Sequence, residues 1–318
     1  MTVRVSAPSR LHLGFTRMNE EVRPWAGIGL AVSEPRTVVV GSHERTGIIC
    51  TGGRREEARS YAETVFNSLE VNDGIRLDVL QAPPKHVGLG STTQLALSVG
   101  TAVLSAYGKA IEVKRLALSL GRGRRSWIGI GSFEGGGFIL DMGADRETGY
   151  HEYRRFTFPV DWCIVLAYRE DRGNVDERTE NVILDRLTYD PGIADRLERI
   201  VTERMIPGIL EKDISSFGVS LSEVQRIVGS VFSPYQGGVI TPQSSSVCHA
   251  MERRGLVGVG QSSWGSAVYG FTDDSELAES VKDVISRFFP EFRVSVVRAD
   301  NRGAVIEEGF ERDRCEQL

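Results

Sequence analysis

A glycine-rich turn set between a strand pattern and a helix pattern constrains this chain more than any other stretch. Pro83-Pro84-Lys85-His86-Val87-Gly88-Leu89-Gly90-Ser91-Thr92-Thr93-Gln94 follows the alternating run Ile75-Arg76-Leu77-Asp78-Val79-Leu80 and leads into a small-residue, helix-compatible run over residues 95–107. A turn that leaves a strand and opens a helix presents unpaired backbone N–H groups at the positive end of the helix dipole, where an anion replaces the missing carbonyl partners. Phosphate or pyrophosphate is the natural occupant. Gly88 and Gly90 permit close backbone approach and positive φ, and the Ser91 and Thr92 hydroxyls suit phosphate oxygens or a metal attached to them. The same stretch also reads as an ordinary strand–helix connection with Ser91 as its N-cap.

The 318 residues suffice for two domains, each with its own core. Acidic and basic residues are mixed along the chain at a net charge of −5, which argues against a general binder of nucleic acid or anionic membranes. Cys50, Cys163, Cys248 and Cys315 form no C-x-x-C pair and the five histidines show no metal-ligand spacing, so reduced thiols in a cytoplasmic protein are expected. No run approaches the roughly 18 apolar residues of a membrane span, and the first residues lack an apolar signal region.

Periodicity organises the rest. The first 50 residues are strand-like, residues 56–69 place Ala58, Tyr61, Ala62, Val65, Phe66 and Leu69 at helical spacing, and residues 114–120 continue helically after the glycine-rich loop. Phe138-Ile139-Leu140 predicts a short strand. After Pro159, Trp162–Tyr168 reads as a buried strand opening a second unit, which places a boundary near residue 158, with domains at 1–158 and 159–318. Helices are expected around 178–188, 193–213, 220–232, 243–254 and 277–288, with strands at 266–271 and 293–297. That order suggests an α+β unit with a helix-covered sheet.

Three further clusters carry chemistry. Gly258-Val259-Gly260-Gln261-Ser262-Ser263-Trp264-Gly265-Ser266 reads as a Gly/Ser loop directly before a strand, suited to closing over a phosphate or carboxylate, or equally as a tight turn with a core Trp264. Gly121-Arg122-Gly123-Arg124-Arg125-Ser126 sets three guanidinium groups between glycines; their forks match phosphate and carboxylate bidentately, unless they are simply solvated surface arginines. In Ser6–Phe15, Arg10 and His12 share one face of a strand pattern, where a basic pair serves structure or substrate.

Taken in order, Ala7-Pro8-Ser9-Arg10-Leu11-His12-Leu13-Gly14-Phe15, residues 84–91 and residues 261–269 resemble the three motifs of the galactokinase, homoserine kinase, mevalonate kinase and phosphomevalonate kinase (GHMP) superfamily. The resemblance spans nearly the whole chain. It implies an α+β two-domain GHMP-type fold: a ribosomal-S5-like N-terminal α/β domain carrying the phosphate loop and a ferredoxin-like C-terminal α+β domain. Within the superfamily the chain resembles the β-ribofuranosylaminobenzene 5′-phosphate synthases of methanopterin biosynthesis more closely. The match lies in residues 10–15, 86–97, 121–131 with Phe133-Glu134, and 260–265. Trp127 departs from that branch, replacing an expected glycine.

Superfamily kinases carry a Pro-Ser-Gly-Ile-Asp type segment whose Asp activates the acceptor hydroxyl. Here Arg125-Ser126-Trp127-Ile128-Gly129 aligns with it and puts Gly129 at the acid. The acidic metal ligand that kinases supply upstream has no counterpart in residues 115–121. Glycine cannot polarise a hydroxyl, so ATP-dependent phosphoryl transfer is the weaker alternative; a non-catalytic phosphate binder is a third. The resemblance implies that 5-phosphoribosyl 1-diphosphate reacts with 4-aminobenzoate or 4-hydroxybenzoate to give a C-riboside, CO2 and pyrophosphate, with Mg²⁺ and without ATP. Ser91, Thr92 and Arg124 are then the catalytic candidates. Arg10, His12, Arg122 and Arg125 are candidates for substrate anions, with Gly88, Leu89, Gly90, His86 and Gln94 around the loop. Gln261, Ser262, Ser263 and Trp264 would close over substrate, and Trp264 and Trp25 would wall the aromatic ring. Thr92 and Glu134 are the metal candidates. Expected partners are these small molecules and a second copy of the chain in a homodimer, with neither nucleic acid nor membrane.

Overall fold

Alternation along the first strand sets the frame on which the site is built. A computed structural model of the chain describes residues 1–19, 23–69, 73–170 and 182–310. The first strand, β1 (Thr2–Phe15), buries Val3, Val5 and Ala7 in one core cluster, and Leu11, Leu13 and Phe15 in another, with register shifts near Ala7 and His12. One strand therefore links two cores.

β2 (Gly27–Glu44), β3 (Ile48–Gly52), α1 (Arg55–Phe66), β4 (Gly74–Gln81), α2 (Ser91–Ala106), α3 (Val113–Ser119), α4 (Ile128–Gly135), β5 (Phe138–Ala144) and β6 (His151–Phe156) complete the first half. The long β2 pairs β1 throughout, and divides its other edge between β4 and β5. β3 joins β4 in parallel, and β6 pairs β5. The helices cover the sheet through Ala58, Ala62 and Val65 of α1 and Leu95, Val99 and Val103 of α2; burying such a stripe is what makes helices of this length stable.

The second sheet begins at β7 (Cys163–Tyr168). It continues through α5 (Pro191–Ile200), a π-helical turn (Val201–Met205), α6 (Ile206–Leu210), α7 (Ile214–Gln236), α8 (Pro242–Arg253), β8 (Val257–Gln261), β9 (Val268–Thr272), α9 (Ser275–Phe288) and β10 (Arg293–Val297). Its order is β10-β7-β9-β8, antiparallel throughout, the ferredoxin-like arrangement. α8 and α9 cover one face through Val247, Met251, Val281 and Ile285. Phe217 and Leu221 of α7 join a cluster that includes Phe271 and, from the first sheet, Leu11, Ile28 and Leu30. The chain leaves the first sheet at Phe156 and enters the second at Cys163, but β11 (Val305–Glu308) returns to pair β1.

Several expectations change. The helix expected over 193–213 is interrupted by the π-helical turn just before Pro207, whose missing N–H cannot continue an α-helical ladder. The loop expected over 258–266 is strand as far as Gln261, its alternation masked in sequence by Gly258 and Gly260. Much of the helix expected around 178–188 lies outside the described residues. No described helix is long and apolar enough to cross a membrane.

Candidate active site at the junction of the two sheets

The glycine-rich segment forms the connection from β4 to α2. Gly90, at φ 69°, is the N-cap of α2, and Ser91 is its first helical residue rather than its cap. Ser91 Oγ donates to the Pro84 carbonyl at 2.9 Å, closing the base of the loop. The amides of Ser91, Thr92 and Thr93 precede the first intrahelical bond, from Gln94 N to Gly90 O at 3.1 Å, so their own helix offers them no acceptor. They open on a cleft lined by Arg10, His86, Gly88, Gly90, Arg122 and Trp264, the setting in which a helix end binds phosphate.

The three sequence motifs meet at one atom. The Gly88 carbonyl accepts from Arg10 Nη1 at 3.0 Å and from Ser262 Oγ at 2.6 Å. Ser262 Oγ in turn accepts the His12 backbone N–H at 2.9 Å, and Arg10 N donates to Leu89 O at 3.1 Å. Two glycines make this approach feasible. A Cβ on Gly88, at φ 94°, would stand 2.3 Å from the Ser262 carbonyl oxygen, and one on Gly265 would stand 2.2 Å from the Gly88 nitrogen. The 262–265 turn is thus pressed backbone to backbone against the phosphate loop, and Ala267 N donates to Val87 O at 2.8 Å.

The arginine segment lines a contiguous cleft. Arg122 borders both this cleft and the phosphate loop, and Arg124 is exposed at its wall. Arg125 pairs with Asp185 at 2.6 Å and lies 5.3 Å over the Trp25 ring. Trp127 pins the segment: its Nε1 donates to Gly123 O at 3.0 Å and its backbone N–H to Asp141 Oδ2 at 2.6 Å. Asp141 Oδ1 pairs with His151 Nδ1 at 2.8 Å and accepts from Gly143 N at 3.1 Å. The His151 ring stacks on Trp127, centroids 5.7 Å apart.

Not every candidate reaches the cleft in the expected way. Ser262 is fully buried and bridges backbone groups instead of facing substrate. Gln94 is fully buried as well, donating to the Gly129 carbonyl at 2.8 Å. Leu89 is a core side chain that contributes its carbonyl. Glu134 accepts from Tyr153 Oη and does not line the clefts beside the phosphate loop or the arginine segment. His12 is buried, and burial together with the nearby Arg10 charge lowers its pKa to about 3, so it is neutral and unfit as an anion's charge partner. Gln261 Nε2 donates to Ser263 O at 2.8 Å and its Oε1 accepts from Thr241 N at 2.8 Å, holding the turn. Ser263, Trp264, Trp25, His86, Arg10, Arg122 and Arg124 do line the clefts.

Other residues emerge only in three dimensions. Arg54 Nη2 reaches Thr92 Oγ1 at 3.5 Å and Glu57 at 2.9 Å, while Lys85 also pairs with Glu57 at 2.9 Å. Burial raises the Glu57 pKa, but hydrogen bonds and charge from Arg54 and Lys85 outweigh it and hold the carboxyl below its ordinary value. Thr93 borders both clefts and faces Gly129, where a Cβ would meet its side chain at 3.2 Å. Gly129 is therefore a buried position behind Thr93, without a carboxylate. Asp141 is buried, is held by Trp127, Gly143 and His151, and lines neither cleft. Among the described residues no group of three or more His, Cys, Asp or Glu is arranged to hold a metal, and the carboxylate lining the arginine cleft, Asp185, is paired with Arg125. Among the described residues, these groups form no protein-based magnesium site.

Residues 205–291 match the family described as GHMP kinases C terminal. The β-ribofuranosylphenol 5′-phosphate synthase of Methanothermobacter thermautotrophicus is 32% identical over 326 residues, covering 95% of this chain and 98% of that protein. The chain belongs to the β-ribofuranosylphenol 5′-phosphate synthase family. A family member from Archaeoglobus fulgidus is 27% identical, over 96% of this chain and 99% of its own. Among solved structures, homoserine kinase from Cytophaga hutchinsonii matches with a TM-score of 0.70 at 18% identity, over 96% of this chain and 97% of that one. The family is therefore one of enzymes built on the GHMP kinase fold.

Proposed function

We propose that the chain transfers the phosphoribosyl group of 5-phosphoribosyl 1-diphosphate to the carboxylate-bearing carbon of 4-hydroxybenzoate or 4-aminobenzoate. The products are a β-C-riboside 5′-phosphate, CO2 and pyrophosphate, a step of tetrahydromethanopterin biosynthesis. The relatives are named for a phenol product, which favours 4-hydroxybenzoate. One observation carries the proposal: the phosphate loop is fully built, while the adjoining position 129, where superfamily kinases place their acid, is a buried glycine facing Thr93.

Departure of pyrophosphate leaves an oxocarbenium-like ribose, and the catalyst must stabilise charge accumulating on the leaving group. We assign that task to the amides of Ser91–Thr93 and the Thr92 hydroxyl, which line the same cleft as the positively charged Arg10 and Arg122. Ser91 keeps the loop closed through Pro84. Magnesium enters as the counter-ion of the diphosphate substrate. Arg124 and Arg125 suit the 5′-phosphate or the benzoate carboxylate. Attack by the ring carbon and loss of CO2 restore aromaticity without a strong base, which makes Gly129 sufficient. Excluding water from the cation falls to the aromatic walls, Trp25 and Trp264.

Product structure tests the proposal. Purified enzyme, the magnesium complex of phosphoribosyl diphosphate and ring-¹³C-labelled 4-hydroxybenzoate should yield a phenol whose anomeric carbon is bonded directly to a ring carbon, seen as a one-bond carbon–carbon coupling in NMR spectra, the carboxyl group being lost. An O-riboside, or a phosphorylated acceptor formed only with ATP, would refute it.

A further inference from the structure

His12 and Gln94 each leave a buried polar atom without a partner near the junction, and of the two it is His12 that borders the clefts. Its Nε2 is buried without a hydrogen-bond partner. His12 borders two spaces: the arginine cleft, and an apolar recess walled by Phe15, Val228, Phe232 and Trp264. The glutamines around the recess are satisfied by the frame. Gln225 Nε2 donates to Leu13 O at 2.7 Å and its Oε1 accepts from Gln261 N at 2.9 Å; Gln236 Nε2 donates to Gly238 O and Val239 O, each at 2.9 Å. Gln261 is held by Thr241 and Ser263.

We propose that this recess receives the aromatic ring of the acceptor, and that His12 Nε2 accepts a hydrogen bond from the O–H or N–H substituent para to the carboxylate. The inference rests on the reaction proposed above, and makes His12 its specificity-determining residue. Three features of the site support it. A planar, apolar ring matches a recess lined by Phe15, Phe232 and Trp264, the last two packed edge to face at 4.8 Å. A buried, neutral imidazole pairs with a neutral donor, whereas a carboxylate or phosphate is better met by the guanidinium groups of the neighbouring cleft. Ser263 and Trp264 border both the recess and the phosphate-loop cleft, so a ring with one end at His12 directs its other end toward the ribosyl diphosphate.

The arrangement also helps the chemistry. A para O–H that donates to His12 pushes electron density into the ring at the carbon opposite, which is the carbon that attacks ribose. The proton stays on the substituent and no covalent step involves the imidazole. A site built to hydrogen-bond this group rejects an analogue that lacks it, because the ring nitrogen is then desolvated with nothing in return.

The test uses wild-type protein, His12→Phe and His12→Asn. Quenching of tryptophan fluorescence measures binding of 4-hydroxybenzoate and of 4-methylbenzoate, which has the same shape but no donor. Wild type should prefer the hydroxyl compound at least tenfold; His12→Phe should bind the two within about threefold, and His12→Asn should fall between. In ¹⁵N-histidine-labelled wild type, one imidazole signal, assigned by its loss in His12→Asn, should move with 4-hydroxybenzoate and stay put with 4-methylbenzoate, a readout independent of how His12→Phe folds. Undiminished preference in folded His12→Phe, or an unmoved His12 signal on saturation, overturns the inference. If that occurs while wild type still releases CO2 from 4-hydroxybenzoate, the reaction stands and only the assignment of His12 falls. A wild type that neither binds nor converts any benzoate overturns both.

Discussion

The two segments proposed to face substrate anions are built in opposite ways. The phosphate loop works through backbone: its amides are presented by a helix end, and its shape is held by Arg10 and Ser262 converging on the Gly88 carbonyl. The arginine segment offers long side chains, and its backbone is held by Trp127 at Gly123 and by Gly121 N and Arg122 N donating to the carbonyls of Leu118 and Ala117 at 3.0 and 2.8 Å. A preorganised backbone can be aimed at charge that develops in the transition state without reorganising as it appears. Flexible guanidinium groups suit holding charge that the substrate already carries. Damage to the loop should therefore lower kcat, and damage to the arginine segment should raise KM.

The largest effect is expected at the contact between loops. Gly88→Ala introduces a Cβ at positive φ and 2.3 Å from the Ser262 carbonyl oxygen, so the loop must shift. Misplacement on that scale should reduce kcat by about 100-fold or more, measured by pyrophosphate release beside a thermal melt that confirms folding. Next comes Ser262→Ala, which deprives the buried His12 amide of its acceptor and removes one donor from Gly88. It should cost about 1–3 kcal/mol of stability and lower kcat roughly tenfold; chemical denaturation and initial rates check the two. Arg124→Lys keeps the charge but loses the planar fork, and should raise KM for phosphoribosyl diphosphate about fivefold with kcat nearly unchanged. Smallest is Trp127→Phe, which deletes the bond to Gly123. A loss of about 1 kcal/mol and a roughly threefold rise in the same KM are expected. Should Arg124→Lys lower kcat while Gly88→Ala raises only KM, the division of labour would be reversed.

What the sequence reveals of this design depends on distance along the chain. Ile75, Leu77 and Val79 announce β4 by local alternation, and Ala58, Ala62 and Val65 announce α1 by helical spacing. α4 hides because it is nearly all buried, with glycines at 129, 131 and 135, so no polar face marks its period. β6 hides for the opposite reason, with His151 its only buried residue and Glu152, Arg154 and Arg155 exposed. Within the site, Gly88 and Gly90 are legible because a helix-opening turn leaves few alternatives to glycine. The clamp is not: Ser262 meets Gly88 from 174 residues away, and Arg54 reaches Thr92 from 38. The seryl hydroxyls show the same limit from the chemical side. Sequence makes Ser91 and Thr92 catalytic candidates and has Ser262 and Ser263 close over substrate, yet Ser91, Thr92 and Ser263 all border the cleft, and Ser91 and Ser262 donate to carbonyls of the frame. Trp127, a departure from the related branch, becomes intelligible as the pin of the arginine segment.

The most direct test of the account follows the fate of both leaving groups at once. Purified protein is incubated with the magnesium complex of phosphoribosyl diphosphate and carboxyl-labelled 4-hydroxybenzoate, with ATP present in one series and omitted from the other. One labelled CO2 and one pyrophosphate are expected per riboside formed, at equal rates in both series and with ATP unconsumed. Formation of ADP with a phosphorylated acceptor, and no labelled CO2, would contradict the proposed reaction.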